Sequence, residues 1–179
     1  SPDEEYLLIS GWPRSLKTCR LRDGVLVNEL NEHTSSVYGA SFPPRGKLLA
    51  TASCDSSVRV FDFPSGKIEH RFLGHQGRIW QVAWSPASDS LASAGSDGTV
   101  RLWDLRQGSS PRHLQMPPDW LPSSSITDFA FLQDGQHVNA ITNTQNQVWN
   151  VETGRSVSLD EIPGAQLQES GTFTPDARF

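Results

Sequence analysis

The stretch "LASAGSDGTVRLWDLRQG", residues 91–108, sets Ser93 four residues before Asp97, and His75 lies sixteen residues ahead of its first leucine. Serine, histidine and aspartate are the groups of an acyl-transfer triad, in which the imidazole takes the serine proton and the carboxylate orients the ring. That chemistry also needs the serine on an exposed, strained turn beside oxyanion donors. Ser93 stands instead between Ala92 and Ala94, inside a run that reads as a strand. The same residue types suit a buried hydrogen-bond chain that holds a loop to a sheet.

Other chemistry is thinner. The histidines His33, His70, His75, His113 and His137 share no close spacing that would make a metal site. Cys19 and Cys54 lie 35 residues apart, match no ligand pattern, and read as buried thiols of a reducing compartment. "SAGSDG" lacks the lysine of a phosphate-cradling loop and precedes a strand rather than a helix. The acidic run at 3–5 reads as a solvated turn. No catalytic residue, cofactor or metal is expected, and the chain reads as a non-enzyme.

The elements that must position these groups repeat. "SPDEEYLLISG" from 1, "PPRGKLLATAS" from 43, "SPASDSLASAG" from 85 and "LQDGQHVNAIT" from 132 are in register, and "TPDARF" opens a further start at 174. The steps are 42, 42, 47 and 42 residues, and Phe42, Trp84, Phe131 and Phe173 each precede a start. A second landmark runs in parallel: Gly24, Gly66, Gly108 and Gly154 end "RDG", "PSG", "RQG" and "ETG". Glycine there supplies the positive φ of a tight hairpin. Within a repeat, "IWQVAW", "SLASAG", "TVRLWDL" and "RHLQ" are short runs divided by turn residues. Short antiparallel strands at this period predict an all-β chain of four-stranded propeller blades.

The span "GHQGRIWQVAWSPASDSLASAGSDGTVRLWD" (74–104) resembles a complete WD repeat, and 34–74 is similar with "VRVFD" in place of "VRLWD". The outer copies match mainly through register. The resemblance implies that His75, Ser93, Asp97 and Trp103 form a structural hydrogen-bond tetrad. The preceding blade keeps His33, Thr51 and Asp55 but has Phe61, which has no N–H to give, so its tetrad is partial. The first copy carries Ile9, Pro13 and Cys19 at the matching places, and the fourth keeps Trp149 with Asn143 or Thr144 near the Asp position. Such decay by copies suits a packing device better than a catalytic site.

The resemblance further implies a rigid disc that binds a protein or peptide through loop tips and strand starts. On this chain those positions are Ser36, Tyr38, Cys54, Arg78, Trp80, Ser96, Ser125 and Thr127. The innermost strand lies near a crowded axis, so Tyr38 and Trp80 equally suit packing between blades. The segment 109–125, "SSPRHLQMPPDWLPSSS", holds the five extra residues of the long step; its prolines and Trp120 suit either a lid on the fourth blade or a binding loop.

The bulk numbers agree with these readings. A net charge of −5 argues against nucleic acid or anionic lipid as partner, and no apolar run reaches the ~18 residues of a membrane helix. Residues 34–115 carry nine Lys/Arg against six Asp/Glu, whereas 116–179 carry two against eight. The opening "SPDEEYLLIS" does not read as a signal peptide, and a cytoplasmic location is expected. Residues 1–179 read as one propeller segment with repeat starts near 1, 43, 85 and 132 and a final strand at 167–173. The chain is expected to begin before a second strand of a blade and to end just after a first one. Its partners therefore include the rest of its own propeller or parent chain; closure as a four-bladed ring, with Phe173 beside Leu7 and Ile9, and closure by oligomerisation are the other readings. Function is expected to be that of an interaction scaffold or sensor, with an accessory propeller domain of a larger signalling enzyme as the alternative.

Overall fold

The computed structural model describes residues 1–10, 16–106, 111–114, 126–142 and 145–162, and for Ser10, Thr127 and Thr142 the backbone alone. The segments 107–110, 115–125 and 163–179, and with them Trp120, Ser125 and the expected strand at 167–173, lie outside the described residues.

The chain forms four antiparallel sheets in sequence order. The first holds β1 (Tyr6–Ser10), β2 (Leu16–Arg20) and β3 (Leu26–Leu30). The second holds β4 (Val37–Ser41), β5 (Leu48–Ser53), β6 (Ser57–Asp62) and β7 (Ile68–Leu73). The third holds β8 (Ile79–Trp84), β9 (Ser90–Gly95), β10 (Val100–Asp104) and β11 (Arg112–Leu114), so the start of the proline-rich segment is an outer strand. The fourth holds β12 (Ile126–Phe131), β13 (His137–Thr142), β14 (Asn146–Asn150) and β15 (Ser156–Val157). This is the architecture of a partial β-propeller.

Register explains why the repeat is readable. Leu7 pairs with Cys19, Leu49 with Phe61, Leu91 with Trp103 and Val138 with Trp149. The first three of these pairs are 42 residues apart, so each repeat sends the same positions to the same face. Turns between the third and fourth strands close on glycine: Gly66 has φ 76° and donates its amide to the Asp62 carbonyl.

The core lies between successive sheets. Ala50, Ala52, Val58 and Val60 of the second sheet face Trp84 and Trp103 of the third in one buried cluster. Ala92 and Ala94 of the third likewise pack with Phe129 and Trp149 of the fourth. Small residues on one blade leave the room that the next blade's aromatic fills, which is how a flat stack reaches interior packing density. Between the first and second sheets the cluster is Leu16, Leu30, Leu49, Phe61 and Phe63. A short 3-10 turn at Leu159–Glu161, which the sequence pattern did not reveal, brings Leu159 and Ile162 against Leu132 and Val148 of the fourth sheet.

Inner strands sit edge to edge. β8 contacts both β4 and β12. A Cβ on Gly39 would lie 3.0 Å from the Gln81 Cα, so glycine is what allows β4 this close to β8. No helix among the described residues is long and apolar enough to cross a membrane.

Candidate functional site

The turn between β9 and β10 places Asp97, the loop before β8 supplies His75, and β9 and β10 carry Ser93 and Trp103. These four stand in one chain. His75 Nδ1 lies 2.9 Å from Asp97 Oδ2, His75 Nε2 lies 2.8 Å from Ser93 Oγ, and the Trp103 indole N–H donates to Ser93 Oγ at 2.9 Å. An indole can only donate, so the Ser93 hydroxyl accepts from it and gives its own proton to His75 Nε2. Nδ1 then carries the ring proton and donates to Asp97. The Gln76 amide also donates to Asp97, at 2.9 Å, and this ties the loop before β8 to the blade.

Ser93 is fully buried, and both hydrogen bonds at its oxygen are internal. A nucleophile there has no approach for a substrate carbonyl. Among the described residues no three His, Cys, Asp or Glu side chains are grouped to hold a metal ion. His70 stacks on Phe72, His113 is exposed, and His137 pairs with Asp134 at 2.6 Å.

The second blade repeats the arrangement up to its last member. His33 Nδ1 lies 2.9 Å from Asp55, and His33 Nε2 lies 2.7 Å from Thr51 Oγ1. Phe61 is buried at the Trp103 position and offers no donor; the Thr51 hydroxyl has the Arg59 carbonyl within 3.4 Å instead. Of the matching residues in the first copy, Ile9 is exposed and Cys19 half-buried, while Pro13 lies outside the described residues, as do Asn143 and Thr144 of the fourth.

Two further positions belong to this network and were missed in the sequence. Thr99 donates to Asp97 at 2.8 Å, and Ser57 donates to Asp55 at 2.6 Å. Arg101 Nη2 lies 3.7 Å from Asp97, and Arg59 Nη2 lies 3.6 Å from Asp55. Both arginines are buried, and Arg59 also donates to the Glu32 carbonyl. The signal was present: both pairs are separated by the 42-residue step. Arginine in a strand reads as a surface residue unless a buried carboxylate is known to meet it.

Charge in these sites is set by burial against hydrogen bonding. Burial pushes the Asp97 carboxyl up, but the Gln76 amide, the His75 ring and the Thr99 hydroxyl together hold it below its ordinary value. Burial acts the same way on Asp55, and the His33 and Ser57 hydrogen bonds and the Thr34 amide outweigh it by more. Burial pulls His75 down, against the opposing attraction of Asp97. Asp97 is therefore ionised and His75 neutral at pH 7, in keeping with the proton positions above.

At the same end of the blades lie the positions expected to meet a partner. Tyr38 and Trp80 each occupy a register shift, between Val37 and Gly39 and between Ile79 and Gln81, and Thr127 occupies the corresponding shift in β12. A bulge leaves its residue outside the ladder and re-aims its side chain. The Tyr38 and Trp80 rings meet edge to face at 5.2 Å, with Tyr38 46% exposed and Trp80 half-buried. Arg78 is exposed, and its carbonyl accepts from the Ser96 amide at 2.7 Å. The equivalent pair is Ser36 and the Cys54 amide at 2.9 Å, but Ser36 is buried and its carbonyl also takes the Ser53 hydroxyl. Cys54 and Ser96 are half-buried. Tyr38, Arg78, Trp80 and Ser96 thus stand near one another; Ser125, and the side chain of Thr127, lie outside the described residues.

Residues 24–62 and 66–104 match the WD40 family, described as "WD domain, G-beta repeat". The chain is 32% identical over 73 residues to "WD repeat-containing protein pop1" of Schizosaccharomyces pombe, a match covering 41% of this chain and 9% of that protein. It is 31% identical over 75 residues to "Cilia- and flagella-associated protein 52" of Sus scrofa, covering 41% of this chain and 12% of that protein. The chain thus spans about a tenth of the length of these relatives.

Proposed function

From the premise that the chain belongs to the WD-repeat proteins, we propose that it is a non-catalytic protein-interaction module, a scaffold or sensor that receives a protein or peptide on the blade ends carrying Tyr38, Arg78, Trp80 and Ser96. One observation carries the reading: consecutive inner strands hold Tyr38 and Trp80 at bulges and in ring contact, Tyr38 exposed and Trp80 half-buried, with exposed Arg78, which has no ion pair among the described residues, two residues before Trp80. Aromatics and arginine dominate interface energies because they bury large rigid area at small entropic cost. A bulge that serves blade packing alone would have its ring covered.

Residues 1–179 are proposed as one segment of a propeller whose other blades come from the parent chain. Leu7 is 48% exposed although the equivalent residues of the other repeats, Leu49, Leu91 and Val138, are fully buried against a preceding blade. That open face supports a missing neighbour.

The test uses the immobilised chain to capture proteins from a cell extract, alongside Trp80→Ala and Arg78→Ala variants. Truncating half-buried Trp80 is expected to cost about 1–2 kcal/mol of stability, less than the ~3–5 of a fully buried ring. Affinity for a captured partner should fall about thirtyfold, or ~2 kcal/mol. Capture of the same proteins at the same strength by folded Trp80→Ala, or unfolding of that variant, would remove the site.

A further inference from the structure

We propose a second binding site, at the opposite end of the blades from Trp80, that anchors an extended peptide by one bulky apolar side chain next to a basic residue. A cavity of about 220 Å³ opens between the first and second sheets, walled by Tyr6, Phe42, Phe63 and Pro64. It is smaller than the ~300–1,000 Å³ that encloses a whole small molecule, and so suits a single large side chain. The rings form a continuous wall: Tyr6 meets Phe63 edge to face at 4.9 Å, and Phe42 meets Phe63 at 5.0 Å.

The next blade boundary shows what fills this place when nothing is to bind. There Trp84 stands 42 residues after Phe42, buried, with its indole N–H donated to the Ser41 carbonyl. Leu48 and Leu105, the counterparts of Tyr6 and Phe63, pack against the same cluster. Phenylalanine in place of tryptophan leaves the first boundary open.

The rim states the chemistry of the occupant. Asp3 and Glu5 line one side, and neither has an ion pair to a side chain among the described residues. Asp3 is held by the Ser1 hydroxyl and the Glu5 amide and stays ionised. Carboxylates beside aromatic faces favour a cation next to the anchor. Lys47, likewise without an ion pair, lines the other side and suits a peptide carbonyl. The Glu5 carbonyl accepts from the Leu21 amide at 2.8 Å, so the Leu21 amide reports on this rim.

The test titrates the full chain with acetyl-Gly-Arg-Trp-Gly amide, with its Trp→Ala twin and with its Arg→Glu twin, and reads amide chemical shifts. The parent peptide should move the signals of Glu5, Tyr6, Leu21 and Lys47. The Trp→Ala twin should bind about tenfold more weakly. Phe42→Trp, which copies the next boundary, should abolish binding. Glu5→Lys should weaken the parent peptide about threefold or more and invert the preference toward the Arg→Glu twin. Absence of shifts at ~5 mM peptide, equal binding by the Trp→Ala twin, or affinity unchanged by both protein variants would overturn the proposal. Shifts confined to Tyr38 and Trp80 would overturn it too, while leaving the first site standing.

Discussion

Phe61→Trp tests whether the two central blades are built on one plan. The substitution offers the second blade the indole N–H that Trp103 gives the third, aimed at Thr51 rather than Ser93. A net hydrogen bond of this kind contributes about 0.5–1.5 kcal/mol. Space opposes it. Trp103 lies in a cluster with Ala50 and Val60, whereas the residues 42 positions earlier are Leu8 and Thr18. Leu8 packs against the cluster that holds Phe61, and Phe61 is itself buried. Forcing an indole into that room costs about 1–3 kcal/mol. The single variant should therefore lose about 1 kcal/mol net. Leu8→Ala alone should lose about 2 kcal/mol as a partly buried truncation. The double variant should return to within about 0.5 kcal/mol of the parent, a coupling of roughly 3 kcal/mol between the sites. Urea unfolding of the four chains measures the cycle, and the new indole N–H resonance reports whether it is hydrogen-bonded. Additive losses would show that the indole does not occupy the Leu8 space. Stabilisation by Phe61→Trp alone, by more than ~1 kcal/mol, would show that the room was already there.

Asp97→Ala leaves the His75 ring, the Gln76 and Thr99 amides and buried Arg101 without their acceptor, so unfolding should become easier by about 2–3 kcal/mol. A change below ~0.5 kcal/mol in urea melts would mean the loop before β8 is held by other contacts. Acid should destabilise the fold in two steps. His75 and Asp97 both have folded values below their unfolded ones, so each contributes stability that is complete above its unfolded value and is lost as pH falls toward the folded one. Loss should begin below pH 6.5, the ordinary His value, and deepen below 3.8, the ordinary Asp value. Melting temperatures that are flat from pH 7 to about 5 would contradict the neutral His75 assigned here.

Much of this protein is local in the physical sense. A 42-residue step of strands and glycine-closed turns is written in neighbouring residues, so the all-β blades were legible before any coordinate. The polar set His75, Ser93, Asp97 and Trp103 was legible for the same reason, since one repeat contains all four and the structure sets them 2.8–3.0 Å apart. Positions that repeat perfectly in sequence nonetheless differ in environment. Ser36 and Arg78 share a register, yet one is buried and the other exposed. Leu7 and Leu49 do the same. Phe42 borders a cavity where Trp84 fills the equivalent space, and Arg59 and Arg101 are buried against carboxylates that pattern alone leaves unpaired. Each blade has two faces, and what covers a face is set by the side chains of the next or preceding blade about 42 residues away. Pattern within a repeat determines which residues point to a face. Only the packing of blade on blade decides whether that face becomes core, cavity or binding surface.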